Sequence, residues 1–136
     1  MPAAAKHFFD TNVLIYAVVE NDPRTARAEQ LLASGGTLSV QILNEFVSVA
    51  RRKLSMSWNE VREALDAFRI LCPTPLPITT EVHDSALKIA EQHSYHIYDA
   101  LVIAAALDAG CATLYSEDLH HGQTISGQLT IQNPFR

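Results

Sequence analysis

Short apolar runs alternate along the chain with stretches in which apolar residues recur every three or four positions. The first pattern is that of a strand, the second that of an amphipathic helix. Lys6 to Phe9 reads as a first strand, and the helical stretch Thr11 to Val19 begins directly at its carboxyl end. Asp22-Pro23 gives an N-cap followed by proline at the first helical position, and Gly35-Gly36 closes that second helix after Ser34. Thr37 to Val40 is expected as a second short strand leading into a helix from Gln41 to Leu54.

Ser57-Trp58-Asn59-Glu60 has the spacing of a capping box, and Trp58, Val61, Leu65, Phe68 and Cys72 follow at helical intervals as a buried stripe. Core packing, a partner helix or a second subunit would each cover such a face. Pro73 to Pro77 interrupts the pattern, Ile78 is assigned to a brief strand, and Thr80 caps a helix carrying Val82, Ala86, Ile89 and Ala90. Asp99 to Ala109 is apolar on all sides until Asp108, which places that helix inside the molecule, and Gly110 ends it. Thr113 to Tyr115 is a further strand, Ser116 to Gly122 a polar loop, and Leu129 to Gln132 a last strand. Helices and strands alternating in this way describe an α/β domain with a mainly parallel sheet. No repeat or linker divides it, so residues 1–136 are expected to form one domain.

Composition narrows the class. At 48% apolar and 18% charged residues, a chain of 136 can bury an ordinary globular core. The longest apolar run, Ala100 to Leu107, is too short to span a bilayer. Val13 to Val19 follows an aspartate and lacks the basic flank and cleavage site of a secretory signal. Cys72 and Cys111 stand apart in apolar surroundings without a C-x-x-C pair, which suits buried reduced thiols far better than a zinc site or a redox motif. The expected compartment is cytoplasmic, with no membrane association.

A formal net charge of -5 argues against a nucleic-acid partner, unless several of the acids bind metal. Many acids have simpler explanations. Asp84 and Lys88, like Arg62 and Asp66, are spaced for surface ion pairs on helices, Glu60 belongs to the capping box, Asp22 starts a helix, and Asp108 lies at a helix end. Four resist such treatment. Asp10 stands at the carboxyl end of the first strand, where open α/β sheets bind ligands, with Thr11 and Asn12 beside it. Glu45 interrupts an apolar helix and has no cation at i±3 or i±4, where Gln41, Ile42, Ser48 and Val49 lie. Asp99 opens the all-apolar helix, and Asp118 follows a strand.

Each acid alone has a plain alternative: an N-cap for Asp10 and Asp99, a tertiary ion pair or exposure for Glu45, a solvated turn for Asp118. Strand ends and helix starts of a parallel sheet, however, converge on one edge. Carboxylates gathered there repel one another unless a hard cation joins them, and oxygen donors without cysteine or paired histidine point to Mg2+, with Mn2+ as a substitute. Glu117 faces away from Asp118 along the chain and is the poorer ligand of the two.

Four ordered segments carry a likeness to a known family: Phe8-Phe9-Asp10-Thr11-Asn12-Val13-Leu14-Ile15-Tyr16, Leu43-Asn44-Glu45-Phe46, Tyr98-Asp99-Ala100-Leu101-Val102-Ile103-Ala104-Ala105-Ala106, and Leu114-Tyr115-Ser116-Glu117-Asp118-Leu119. Together they resemble the successive motifs of PIN-domain nucleases, and most nearly the VapC toxins of bacterial toxin–antitoxin pairs. The likeness runs from Phe8 to Asn133-Pro134-Phe135. It implies a three-layer α/β domain with a mainly parallel central sheet flanked by helices, a metal-dependent endoribonuclease activity on an RNA substrate, a homodimer, and a small antitoxin protein as inhibitor. By motif position Asp10, Glu45, Asp99 and Asp118 match the family's acidic quartet, which serves as both catalytic and metal-binding set. Asn12 and Ser116 match supporting polar positions, with serine where threonine is common.

On this reading Asp10, Asp99 and Glu45 hold a magnesium ion and Asp118 completes a second or substrate-assisted site. Arg52, two turns beyond Glu45 on nearly the same helix face, is the candidate for contact with RNA phosphate, although Arg51, Arg52 and Lys53 also complement the negative end of that helix. His120 and His121 suit loop ordering better than acid–base chemistry. An aspartyl-nucleophile phosphatase would need aspartate where Asn12 stands. A catalytically inactive PIN-like module that binds RNA or protein is the remaining alternative. Sedimentation at micromolar concentration is expected to show a homodimer; a monomer alone would count against this.

Overall fold

The computed structural model describes residues 6–136. Its elements run β1 (His7–Phe9), α1 (Thr11–Val18), α2 (Thr25–Ala33), α3 (Val40–Arg52), α4 (Trp58–Leu71), α5 (Thr80–His93), α6 (Ile97–Asp108), β2 (Thr113–Tyr115), β3 (Thr124–Ile125) and β4 (Leu129–Gln132). The sheet order is β1-β2-β4-β3. β1 lies parallel to β2 and β2 parallel to β4, while β3 returns antiparallel to β4. The mainly parallel α/β fold expected from the pattern is therefore present. β3 was not foreseen, because two residues are too few to show a period.

Adjacent side chains of a strand point to opposite faces. Phe8 and Phe9 are nevertheless both fully buried, so the sheet is covered on both sides. On one side α1 packs on β1 and against α2 and α3, with α4 behind them; α6 packs on β2 and is paired along its length with α5. Ala100, Ile103, Leu114 and Ile131 are also fully buried. The central position of α6 explains why its sequence is apolar all round.

Several boundaries differ from the sequence reading, each for a local reason. Thr37 to Val40 does not form a strand. Ser39 instead caps α3 by accepting from the Ile42 amide, and Val40 is already helical. What remains extended makes two isolated parallel bridges: Phe8 with Thr37, which covers the free edge of β1, and Ser39 with Leu76 beyond it. Ile78 lies outside any strand. The second helix starts at Thr25, because the Asp22 carboxylate accepts from the Arg24 amide and guanidinium instead of capping the helix. Thr79, not Thr80, caps α5, and α6 starts at Ile97 after His96, which puts Asp99 within the first turn rather than at the cap. The Ser57–Glu60 capping box is present as expected.

The α4 stripe is buried at Val61, Phe68 and Cys72, but Trp58 is 52% exposed. The Arg51 guanidinium lies 4.4 Å from its ring centroid, so a cation rather than the core covers that face. Among the described residues both ion pairs belong to Arg24, with Asp22 and Glu117; the expected surface pairs Asp84–Lys88 and Arg62–Asp66 are not formed. Solvated side chains at those exposed positions gain too little from pairing to be held together.

Two close packing contacts constrain the interior, the second of them on β1. Phe46 of α3 meets Phe68 of α4 edge-on, with ring centroids 5.0 Å apart. Gly36 lies against the Phe9 ring so closely that a methyl group added there would overlap it. Gly36→Ala is expected to destabilise the fold by about 1–3 kcal/mol through overpacking, and Phe46→Ala by about 3–5 kcal/mol through the cavity it leaves. Urea unfolding of the two variants checks both values.

Candidate acidic site

The parallel pairings of β1 with β2 and of β2 with β4 each continue one step beyond the strands. The Asp10 amide donates to the Tyr115 carbonyl at 3.0 Å, and the Ser116 amide donates to the Gln132 carbonyl at 2.9 Å. Asp10 and Ser116 therefore emerge side by side at the carboxyl ends of neighbouring strands. Asp10 is only 7% exposed and Ser116 fully buried. The Asp10 carboxylate accepts from the Thr11 amide through Oδ1 at 2.7 Å and from the Ser116 hydroxyl through Oδ2 at 2.7 Å. The first contact makes Asp10 the N-cap of α1. Capping and a site role coexist here, since a carboxylate has lone pairs beyond the one the cap uses.

Ser116 Oγ also accepts from the amides of Asp118 and Leu119, at 3.2 and 3.3 Å. One buried hydroxyl thus ties Asp10 to the turn that carries Asp118. Asn12 closes the same turn from the other side: its Nδ2 donates to Asp118 Oδ2 at 3.3 Å, and its Oδ1 accepts from the Glu117 amide at 3.3 Å. Both supporting positions anticipated in the sequence, Asn12 and Ser116, are therefore in contact with the acids.

Glu45 reaches the site from the middle of α3. Its Oε2 accepts from the Thr11 hydroxyl at 2.6 Å and its Oε1 from Gln41 Nε2 at 3.1 Å. Gln41 Nε2 donates as well to the Tyr98 carbonyl in the first turn of α6, at 3.1 Å. Thr11 and Gln41 are the residues to which sequence reasoning assigned no role. Gln41 stands one turn before Glu45, and its spacing was the available signal; the long-range contact to α6 was not.

Asp10, Glu45, Asp99 and Asp118 all line one pocket of about 350 Å³, together with Asn12 and Arg52. Four separate elements of the sequence thus supply carboxylates to one place. Burial, the largest cause, pushes the Asp10 carboxyl up to about 6; its bonds to Ser116 and Thr11 oppose this, and the charges of Glu45 and Asp118 reinforce it. Asp99 is raised too, first by burial, with His96 lowering it and Asp118 and Glu45 raising it. Among the described residues no lysine or arginine forms an ion pair with any of the four. Arg52 lines the pocket but donates to the carbonyl and hydroxyl of Ser48 on its own helix.

Glu117, the acid set aside on sequence grounds, lines the same pocket but has other partners. It accepts from the Tyr16 hydroxyl and pairs with Arg24 at 2.9 Å. Its charge is compensated, whereas that of the other four is not. Those four offer only hard oxygen donors, the set that suits a divalent cation of the magnesium type. Among the described residues no three acidic, histidine or cysteine side chains approach one point closely enough to ligate an ion together.

A mainly parallel α/β sheet with uncompensated carboxylates gathered in a pocket at its strand ends defines the class, an α/β domain with an acidic site. Within that class the chain belongs to the PIN-domain family, whose model matches residues 7–124. No curated protein matches the sequence. Among solved structures, a toxin–antitoxin complex from Klebsiella pneumoniae is similar at 15% identity and a TM-score of 0.72, covering 96% of this chain and 98% of that one. VapC20 of Mycobacterium tuberculosis, a toxin cleaving the sarcin–ricin loop, is 22% identical with a TM-score of 0.62, over 83% of this chain and 90% of its own. VapBC2 from Rickettsia felis, bound to a DNA fragment from its promoter, is 18% identical with a TM-score of 0.64, over 93% and 98%. At such identities the likeness is one of fold.

The raised Asp10 pKa has a defined effect on stability in metal-free solution. A carboxyl whose pKa is higher folded than unfolded contributes stability that is complete below the unfolded value near 4 and is lost as pH rises through about 6. A shift of that size corresponds to about 3 kcal/mol. Denaturant unfolding at pH 4 and pH 7 in chelator is expected to show a larger loss in the natural protein than in Asp10→Asn, in which only the other acids, Asp99 among them, still titrate. Ser116→Ala, which removes one donor and leaves two amides without their acceptor, should cost about 1–3 kcal/mol.

Proposed function

We propose that this protein is a divalent-metal-dependent endoribonuclease that hydrolyses RNA phosphodiester bonds, and that it is the toxin of a VapBC-type toxin–antitoxin pair. The observation that carries the reading is the set of four carboxylates from four separate elements facing one pocket without a cationic partner. Family membership and folds shared with toxins of such pairs support it. Asp10, Glu45, Asp99 and Asp118 are the residues that would hold the metal, Mg2+ by preference and Mn2+ in its place. Bound there, the ion supplies positive charge that lowers the pKa of water and stabilises charge on the phosphoryl oxygens.

The chain's own residues do the rest. Ser116 and the Thr11 amide hold both oxygens of Asp10, and the Thr11 hydroxyl and Gln41 hold both oxygens of Glu45. Neither carboxylate needs to reorient before it acts, which is the advantage of a preorganised site. Asn12 orients Asp118. Asp99 enters from the first turn of α6, where the helix dipole favours a negative charge. Arg52, exposed at the pocket rim, is placed to meet an RNA phosphate. The remaining partners in this reading are a small antitoxin and a second copy of the chain, in the cytoplasm. Among the described residues no helix is long and apolar enough to cross a membrane.

Purified protein incubated with structured RNA should cleave it with magnesium and stop with chelator. Asp99→Asn is expected to abolish cleavage without unfolding the protein, while Asp84→Asn, at an exposed position of α5, keeps it; near-normal, magnesium-dependent cleavage by Asp99→Asn would overturn the quartet. Magnesium should also raise the melting temperature of the natural protein, since it binds the folded pocket and not the unfolded chain, and protons should compete so that the shift shrinks at lower pH. An equal magnesium shift in Asp10→Asn would place the ion elsewhere.

A further inference from the structure

A second pocket, of about 430 Å³, is lined by Pro23, Arg24, Arg27, Pro134, Phe135 and Arg136. No acidic side chain lines it. It shares a wall with the acidic pocket: Tyr16 lines the acidic pocket and packs edge-on against Phe135, with ring centroids 5.0 Å apart. Arg24 lies 3.9 Å from the centroid of the Tyr16 ring and pairs with Glu117 on the acidic side. Arg24 is thereby held as part of the wall, its charge answered by Asp22 and Glu117. Arg27 is differently placed. It is exposed and binds only neutral groups, the Pro134 carbonyl at 3.4 Å and Gln30 Oε1 at 3.0 Å. Among the described residues neither Arg27 nor Arg136 has an ion-pair partner.

We propose that this cationic pocket is a phosphate-binding subsite for the RNA strand flanking the bond held at the acidic pocket, with Arg27 as its principal donor. The inference rests on the ribonuclease reading and extends it to the path of the substrate. A polyanion led to a pocket of uncompensated carboxylates in a protein of net charge -5 needs cations immediately outside that pocket. Arg52 provides one at the rim formed by α3, and Arg27 provides one behind the Tyr16–Arg24 wall. A guanidinium fork matches phosphate oxygens in pairs, and contacts of this kind position a strand without reading its sequence. The shared wall favours RNA over an acidic protein segment, because the same strand would occupy both pockets.

The test uses Asp10→Asn as a cleavage-deficient parent and measures its binding to a labelled single-stranded RNA oligonucleotide by fluorescence anisotropy, in magnesium, across a salt series. Adding Arg27→Gln should weaken binding several-fold and reduce the slope of log affinity against log salt by about 0.7, the amount for one phosphate contact on a single strand. Arg27→Lys should retain most of the slope, and Lys88→Gln on α5 should leave affinity and slope alone. In the natural background Arg27→Gln should raise KM for RNA cleavage. Arg27→Gln with the affinity and slope of its parent would overturn the subsite, as would a parent that does not bind RNA or an effect confined to a protein partner. Arg27-dependent binding by a natural chain that cleaves no RNA would keep the subsite and sink the ribonuclease reading; cleavage with Arg27-independent binding would do the reverse.

Discussion

Parallel strands exchange slanted hydrogen bonds in one direction, so residues that leave neighbouring strands at their carboxyl ends arrive at the same height. The bond from the Asp10 amide to the Tyr115 carbonyl is the last rung of that ladder between β1 and β2. Everything at the acidic pocket is referred to it. It sets Asp10 against Ser116, and Ser116 in turn sets the turn bearing Asp118. Thr11, the next residue along, carries the reference to Glu45 on α3. Glu45 and α6 are joined through Gln41 and the Tyr98 carbonyl, which brings in Asp99. The four carboxylates belong to segments far apart in the chain, and a short relay of neutral polar groups registers them.

The relay holds negative charge in place at a cost. Burial and like charges raise Asp10 and Asp99, and the neutral donors offset only part of this. A structural acid would be answered by a cation, as Glu117 is by Arg24 a residue away from Asp118. The contrast between two adjacent acids, one neutralised and one not, separates the site from its frame more sharply than proximity does. Stability withheld from the free protein at neutral pH is available to whatever positive charge enters the pocket, which links folding to occupancy.

The sequence conveyed the elements and the acids better than it conveyed their ends. Asp10, Glu45, Asp99 and Asp118 each had a plain alternative alone and stood out as a set, through the convergence of strand ends and helix starts and the order of their motifs, and all four line one pocket. What failed were boundaries decided by competing hydrogen bonds. Asp22 looks like a cap, but Arg24 claims its carboxylate; Ser39 looks like part of a strand, but its hydroxyl serves α3; Asp99 looks like the first residue of α6, but Ile97 and Tyr98 precede it in the helix. Trp58 fits the buried stripe by spacing, yet finds its cover in Arg51. Thr11 and Gln41 were visible as polar neighbours of acids, and their bridging between elements is a property of the folded chain alone.

Gly36 contributes no functional group, yet it stands against the ring of Phe9, the residue that precedes Asp10. Strand β1 is three residues long, so a ring displaced at Phe9 has almost no backbone over which to dissipate the movement before it reaches the carboxylate. The pocket is therefore mechanically short-circuited to the opposite side of the sheet's edge. Volume added at a residue with no side chain of its own would be transmitted as a tilt of the Asp10 carboxylate, so variation of this scaffold would meet a tight tolerance at a position that chemistry alone would leave free.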